Sequence, residues 1–138
     1  MPPTQTWKQK ERELAALFGT VRRALSGGNS SQGNRRDDAH HPHIFLECKY
    51  AARHAVWKLW RFAKSCCQKE LRHPKRRPVL GLYARGESGA LLVVHENDLI
   101  VVTLNRLRTL RVNLVPADPK RAAEVSSAIA YLERIQDV

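Results

Sequence analysis

The stretch His43-Ile44-Phe45-Leu46-Glu47-Cys48-Lys49 decides how this chain is read. A short apolar run of this kind reads as a strand, and it ends in a carboxylate and an ammonium two residues apart. Successive side chains of a strand point to opposite faces, so Glu47 and Lys49 share one face while Leu46 and Cys48 take the other. Two opposite charges at the tip of a largely buried strand cost desolvation energy, and a fold that retains them usually has a use for them. Glu-x-Lys alone is more often a solvated ion pair at an exposed strand end. Its meaning therefore depends on its neighbours.

Immediately upstream, Asp37 and Asp38 precede Ala39-His40-His41-Pro42. Proline at 42 restrains His41 to an extended conformation and leads the chain into the strand. If the chain turns back at residues 40 to 42, an aspartate comes beside Glu47, giving two carboxylates for one divalent cation with a lysine next to them. Residues 26 to 36 contain no apolar residue and read as a flexible loop. Its serines, amides and backbone N–H groups, with Arg35 and Arg36 at its end, suit contact with phosphates. No Gly-Lys-Ser/Thr follows its glycines, so it is not a P-loop. Earlier still, Leu14, Leu17, Phe18, Val21 and Leu25 mark one face of a helix expected over about residues 8 to 25. Glu11 lies roughly 60° from the centre of that stripe and Glu13 roughly 95°. Glu11 is the one that could look inward. Residues 1 to 7 are expected to be a flexible end.

Downstream, a second helix is expected over about residues 51 to 72, with Ala52, Val56, Leu59, Trp60, Ala63, Cys67 and Leu71 on one face and most of its lysines and arginines elsewhere. Trp7, Trp57 and Trp60 read as packing residues rather than base-stacking platforms. The basic loop that follows, residues 72 to 78, offers Lys75, Arg76 and Arg77 for phosphate contact. Residues 79 to 84 and 90 to 94 read as a strand pair joined by a turn. Residues 99 to 115 fit a strand or a helix equally. Asp118-Pro119 supplies an N-cap and a first-turn proline for a last helix to residue 136, whose apolar seam would pack on the sheet or form a dimer contact.

At 138 residues the chain reads as one domain with a core large enough to need no staples. The cysteines 48, 66 and 67 are odd in number and lack Cys-x-x-Cys spacing, which suits reduced thiols. His40, His41 and His43 lie near Cys48, but no second ligand pair at zinc spacing accompanies them. The net charge of +11 points to a polyanionic partner, nucleic acid before a membrane surface. The apolar runs are far short of the roughly twenty residues of a span, and no signal peptide is read, so a soluble, cytoplasmic protein is expected.

The order of these elements resembles the PD-(D/E)xK nuclease superfamily, and within it the archaeal and phage Holliday-junction resolvases and related small phage nucleases. Glu11-Arg12-Glu13-Leu14 on the first helix, the Ser-Gly loop, Asp38 four residues before Pro42, the Glu47-Cys48-Lys49 strand, the second helix and Arg77-Pro78-Val79-Leu80-Gly81-Leu82 carry the likeness, over roughly residues 8 to 102. The proline that leads the family's aspartate is absent, since Arg36 and Asp37 stand in its place.

The resemblance implies a restriction-endonuclease-like α/β fold, with a central mixed sheet flanked by helices. It implies Mg²⁺ or Mn²⁺ held by Asp38, Glu47, the Cys48 backbone carbonyl and Glu11, and it gives Lys49 the role of orienting the attacking water or stabilising the developing charge. Ser26 and the loop after it would contact the DNA backbone, with Arg35, Arg36, Lys75, Arg76 and Arg77 positioning phosphates. The implied reaction is hydrolysis of a DNA phosphodiester, to 5′-phosphate and 3′-hydroxyl ends, by a structure-selective homodimer acting on branched or double-stranded DNA. Two other classes compete: a basic nucleic-acid-binding module on a degenerate nuclease fold, and an assembly protein that dimerises through residues 119 to 136.

Overall fold

The computed structural model describes residues 6–23, 38–70 and 75–136. In chain order the elements are α1 (Trp7–Leu17), β1 (Ile44–Ala51), α2 (Val56–Gln68), β2 (Arg77–Ala84), β3 (Leu91–Val93), a 3₁₀ turn (Glu96–Asp98), α3 (Leu99–Leu114) and α4 (Pro119–Gln136). The fold is α/β. β1 and β2 are parallel, which requires the α2 crossover between them, and β3 returns antiparallel on β2 to give a mixed sheet of order β1-β2-β3.

Strand alternation sorts the core into two layers. Ile44, Leu46 and Val79 look toward Leu14 and Ala15 of α1 and Phe18 just beyond it, while Phe45 meets Cys66 and Cys67 of α2, and Leu80 and Leu82 meet Trp60. Gly81 lets α1 approach: a Cβ there would stand 2.7 Å from Leu14 Cδ2. Pro78 is tolerated in a central strand because it precedes the stretch paired with β3, which begins at Leu80, while the neighbouring Arg77 N–H donates to His43 O at 2.8 Å.

Helix α1 ends at Leu17, not at residue 25. Gly19 has φ +69°, the Gly19 N–H donates to Ala16 O and the Thr20 N–H to Ala15 O, a Schellman termination that the continuing apolar spacing of Val21 and Leu25 concealed. Thr6 closes the other end by a capping box with Gln9. β1 runs to Ala51, so α2 starts five residues later than expected, and α2 ends at Gln68.

Residues 99 to 114 are helical. Val102 of α3 joins the α1 layer while another side of α3 carries α4, so apolar residues spread around the helix and blur its period. Arg106 Nη1 donates to Leu17 O at 3.1 Å, satisfying a carbonyl at the end of α1. Asp118 caps α4 by accepting the Arg121 N–H at 3.1 Å. The main neighbour of α4 is α3 rather than the sheet, with Ala122 and Ile129 buried. Among the tryptophans Trp60 is core, whereas Trp7 and Trp57 are largely exposed, contrary to the packing role expected of all three. No described helix is long and apolar enough to cross a membrane.

Candidate active site

β2 covers one edge of β1, and the segment holding Asp38 comes alongside the other. The Asp38 N–H donates to Leu46 O at 2.9 Å, and the Cys48 N–H donates to Asp38 Oδ2 at 2.7 Å. Residues 21 to 23 pair antiparallel on the far side of this segment: the Arg23 N–H donates to Asp38 O at 2.8 Å and the His40 N–H to Val21 O at 3.1 Å. The reversal between Asp38 and β1 is held by His41, whose Nδ1 accepts the N–H groups of His43 and Ile44 at 3.0 and 3.1 Å. Asp38 is thus fixed by backbone pairing on both sides. A residue's N–H and C=O point to the same side of a strand, so the Cys48 carbonyl also faces this outer edge.

Glu47 and Lys49 stand on the α2 side of β1 as an ion pair, Lys49 Nζ 3.0 Å from Glu47 Oε1. The ammonium lies 5.1 Å from the centre of the Phe62 ring, on the exposed side of α2. Glu11 is buried at 5% exposure while the Glu13 side chain is 44% exposed, the inward and outward placement expected of them. Glu11 accepts a hydrogen bond from Arg22 Nε, and the Arg22 guanidinium lies 5.2 Å from the Trp7 ring centre. Sequence reading missed Arg22 because it fell in the segment taken as helix. Gly19 was the signal that could have freed it.

The electrostatics follow from gathering acids in a dry place. Burial first, then the Glu47 charge and more weakly Glu11, push the Asp38 acid up to about 8 against the opposing Cys48 N–H and Lys49. Burial alone would pull the Lys49 ammonium down. The charge and hydrogen bond of Glu47, with Asp38, outweigh it and raise it instead. The Cys48 thiol is pushed up by burial and by the Asp38, Glu11 and Glu47 charges, which makes it an inert packing group.

No family model, curated protein or solved structure matches this chain.

Asp38 and the Cys48 backbone meet at the outer edge of β1, the Glu47–Lys49 pair stands beside them on the α2 face, and Glu11 is close enough to Asp38 for its charge to act there. The Glu47 and Glu11 charges both act on Asp38, and carboxylate oxygens are the donor type that hard cations such as Mg²⁺ or Mn²⁺ take. Their placement is not that of a closed cage. Among the described residues no three His, Cys, Asp or Glu side chains converge as metal ligands, and Glu11 and Glu47 are turned onto Arg22 and Lys49.

The expected phosphate contacts divide. Ser26, Arg35, Arg36 and Asp37 lie outside the described residues. Arg76 is corrected: its side chain is buried on Glu70 and donates from Nη1 to His41 O and Ile44 O at 3.3 and 3.4 Å, with the Phe45 ring 5.1 Å away, so it is structural and unreachable for a phosphate. Lys75 is exposed, and its Nζ donates to Gln68 O and Glu70 O at the end of α2. Arg77 is exposed and ion-paired to Asp98 at 3.0 Å. Lys58, Arg61, Lys64 and Lys69 make the outer side of α2 basic.

Proposed function

We propose that the protein is a metal-dependent DNA endonuclease with a PD-(D/E)xK-type site on the outer edge of β1. One observation carries the reading: Asp38 is locked onto the Cys48 N–H beside the Glu47–Lys49 pair, with the charge of buried Glu11 reaching it. Helix, Asp38 segment, Glu-x-Lys strand, helix and strand pair follow in the order the resemblance requires, which supports a restriction-endonuclease-like core. Asp38, Glu47, Glu11 and the Cys48 carbonyl would hold Mg²⁺ or Mn²⁺, which supplies an acidified water and positive charge against the scissile phosphate. Glu47 would exchange its contact with Lys49 for that role, leaving the ammonium to orient the water or meet charge developing on the phosphate. The basic outer side of α2 positions the DNA backbone without reading sequence. Cutting a four-way junction symmetrically would need two such sites in a homodimer.

A second reading, a basic nucleic-acid-binding module without catalysis, draws on the pairing of Glu11 with Arg22 and Glu47 with Lys49. Metal separates the two. Under the nuclease reading Mn²⁺ raises the thermal midpoint of wild type, and Asp38→Asn or Glu47→Gln removes the rise; equal response of wild type and both variants would sink it.

A further inference from the structure

A second charged feature lies at the other end of the β1–β2 pair. Arg77 is in register with Ile44, whereas Glu47 and Lys49 are opposite Leu80 and Leu82, which separates the two regions by roughly 10–16 Å along the strands. There a cleft of about 360 Å³ opens between Lys64 and Trp60 of α2, Arg77 and Pro78 at the start of β2, and His95 and Asn97 of the turn before α3.

The walls of this cleft are rich in donors. His95 Nδ1 accepts the Asn97 N–H at 3.1 Å, so a neutral His95 ring carries its hydrogen on Nε2 and remains a donor. Asp98 also lines the cleft, and its carboxylate is paired with Arg77 Nη1. No other partner among the described residues takes the remaining N–H groups of Arg77. The other buried charge in the wall, Arg76, is matched by Glu70. Lys64 and Lys75 have no carboxylate partner among the described residues, so the cleft is left with an excess of positive charge. Its volume lies in the range of small-ligand sites.

We propose that this cleft is a phosphate-binding subsite, taking a phosphate group carried by a nucleic-acid strand or by a free nucleotide. Lys64 and Arg77 supply the charge, and His95 Nε2–H and the Asn97 amide direct hydrogen bonds to its oxygens. The assignment stands on the cleft alone and does not depend on cleavage.

The test uses the whole chain in EDTA, so that cutting plays no part. The ring signals of His95 are followed by NMR while inorganic phosphate, adenosine 5′-monophosphate or a short DNA duplex is added, with chloride at matched ionic strength as the control. A saturable shift with at least one phosphate-bearing probe, absent with chloride, is expected. Saturation by the nucleotide and not the duplex identifies a free nucleotide as the source; saturation by the duplex identifies a strand. Lys64→Met and Arg77→Gln should each weaken that binding by roughly tenfold. For the duplex, each should also lower the slope of log affinity against log salt by about 1. His95→Asn keeps a capping acceptor for the 3₁₀ turn while removing the Nε2–H donor, and should weaken binding as well, read for this variant by titration calorimetry with the same probes because the reporter ring is gone. Lys64 is exposed, so its replacement leaves the fold intact and decides the matter should Arg77→Gln misfold. Still His95 signals with all three probes, or affinity within twofold of wild type in Lys64→Met, would overturn the assignment. Neither result touches Glu47 or Lys49, so failure here and failure of the nuclease reading are told apart.

Discussion

Replacing Asp38 by asparagine should make the metal-free protein more stable than wild type at pH 8.5. Asp38 is 6% exposed, and burial, with the Glu47 and Glu11 charges, holds its acid near 8 instead of 3.8. Over the window between those values the folded chain keeps a proton that the unfolded chain has released. The stability that proton supplies is complete below about pH 4, declines as pH rises through the window and is gone above about pH 8. Each tenfold in proton affinity is about 1.4 kcal/mol, so ionising this carboxyl in the folded protein costs on the order of several kcal/mol. Asparagine keeps an oxygen for the Cys48 N–H and presents N–H groups where aspartate presents charge. A gain of about 1–3 kcal/mol at pH 8.5 follows. Urea titrations in EDTA at pH 5.5, 7.0 and 8.5 check it: the variant should gain on wild type as pH rises. A difference that stays constant with pH, or one that favours wild type increasingly toward pH 8.5, would refute the placement of Asp38 among acids.

Two further substitutions probe the frame around the site. Gly81→Ala puts a Cβ 2.7 Å from Leu14 Cδ2 and 2.8 Å from Cδ1; Leu14 is 1% exposed and has nowhere to swing, so about 1–3 kcal/mol should be lost, read as a lower thermal midpoint. Glu70→Ala leaves the Arg76 guanidinium buried without its carboxylate and should cost roughly 3–5 kcal/mol by denaturant unfolding, whereas Glu70→Leu combined with Arg76→Met should recover most of it.

The strands were legible because their signals are local: Ile44 to Leu46 and Val79 to Leu82 are short apolar runs bounded by turn residues. The parallel pairing follows from the helix between them. Legibility failed where one residue overrode a pattern. Val21 continues the α1 stripe in sequence, yet Gly19 takes a left-handed conformation and turns residues 21 to 23 into a strand-like partner for Asp38. That reversal puts Arg22 on Glu11, which no spacing rule indicates. Residues 99 to 115 were ambiguous because α3 is covered on more than one side.

The candidate site divides along the same line. Glu-x-Lys and the choice of Asp38 are spacing arguments about one strand and its approach; Asp38 is held on the Cys48 N–H, while Asp37 lies outside the described residues. The basic loop was a composition argument, and composition cannot tell Arg76, whose side chain is wholly buried on Glu70, from Arg77, whose side chain is 52% exposed. Burial separates them, and burial is set by contacts distant in sequence, such as that of Arg76 with His41 O.

Cleavage tests the central claim most directly. Wild type, Lys49→Ala and Asp38→Asn should be incubated side by side with four-way junction, flap, linear duplex and single-stranded DNA, in Mg²⁺, in Mn²⁺ and in EDTA. The site described here predicts metal-dependent cutting of at least one branched or duplex substrate by wild type, with at least 100-fold slower cutting by both variants and DNA binding nearly unchanged. Wild-type protein that binds these DNAs and cuts none of them with either metal would contradict it.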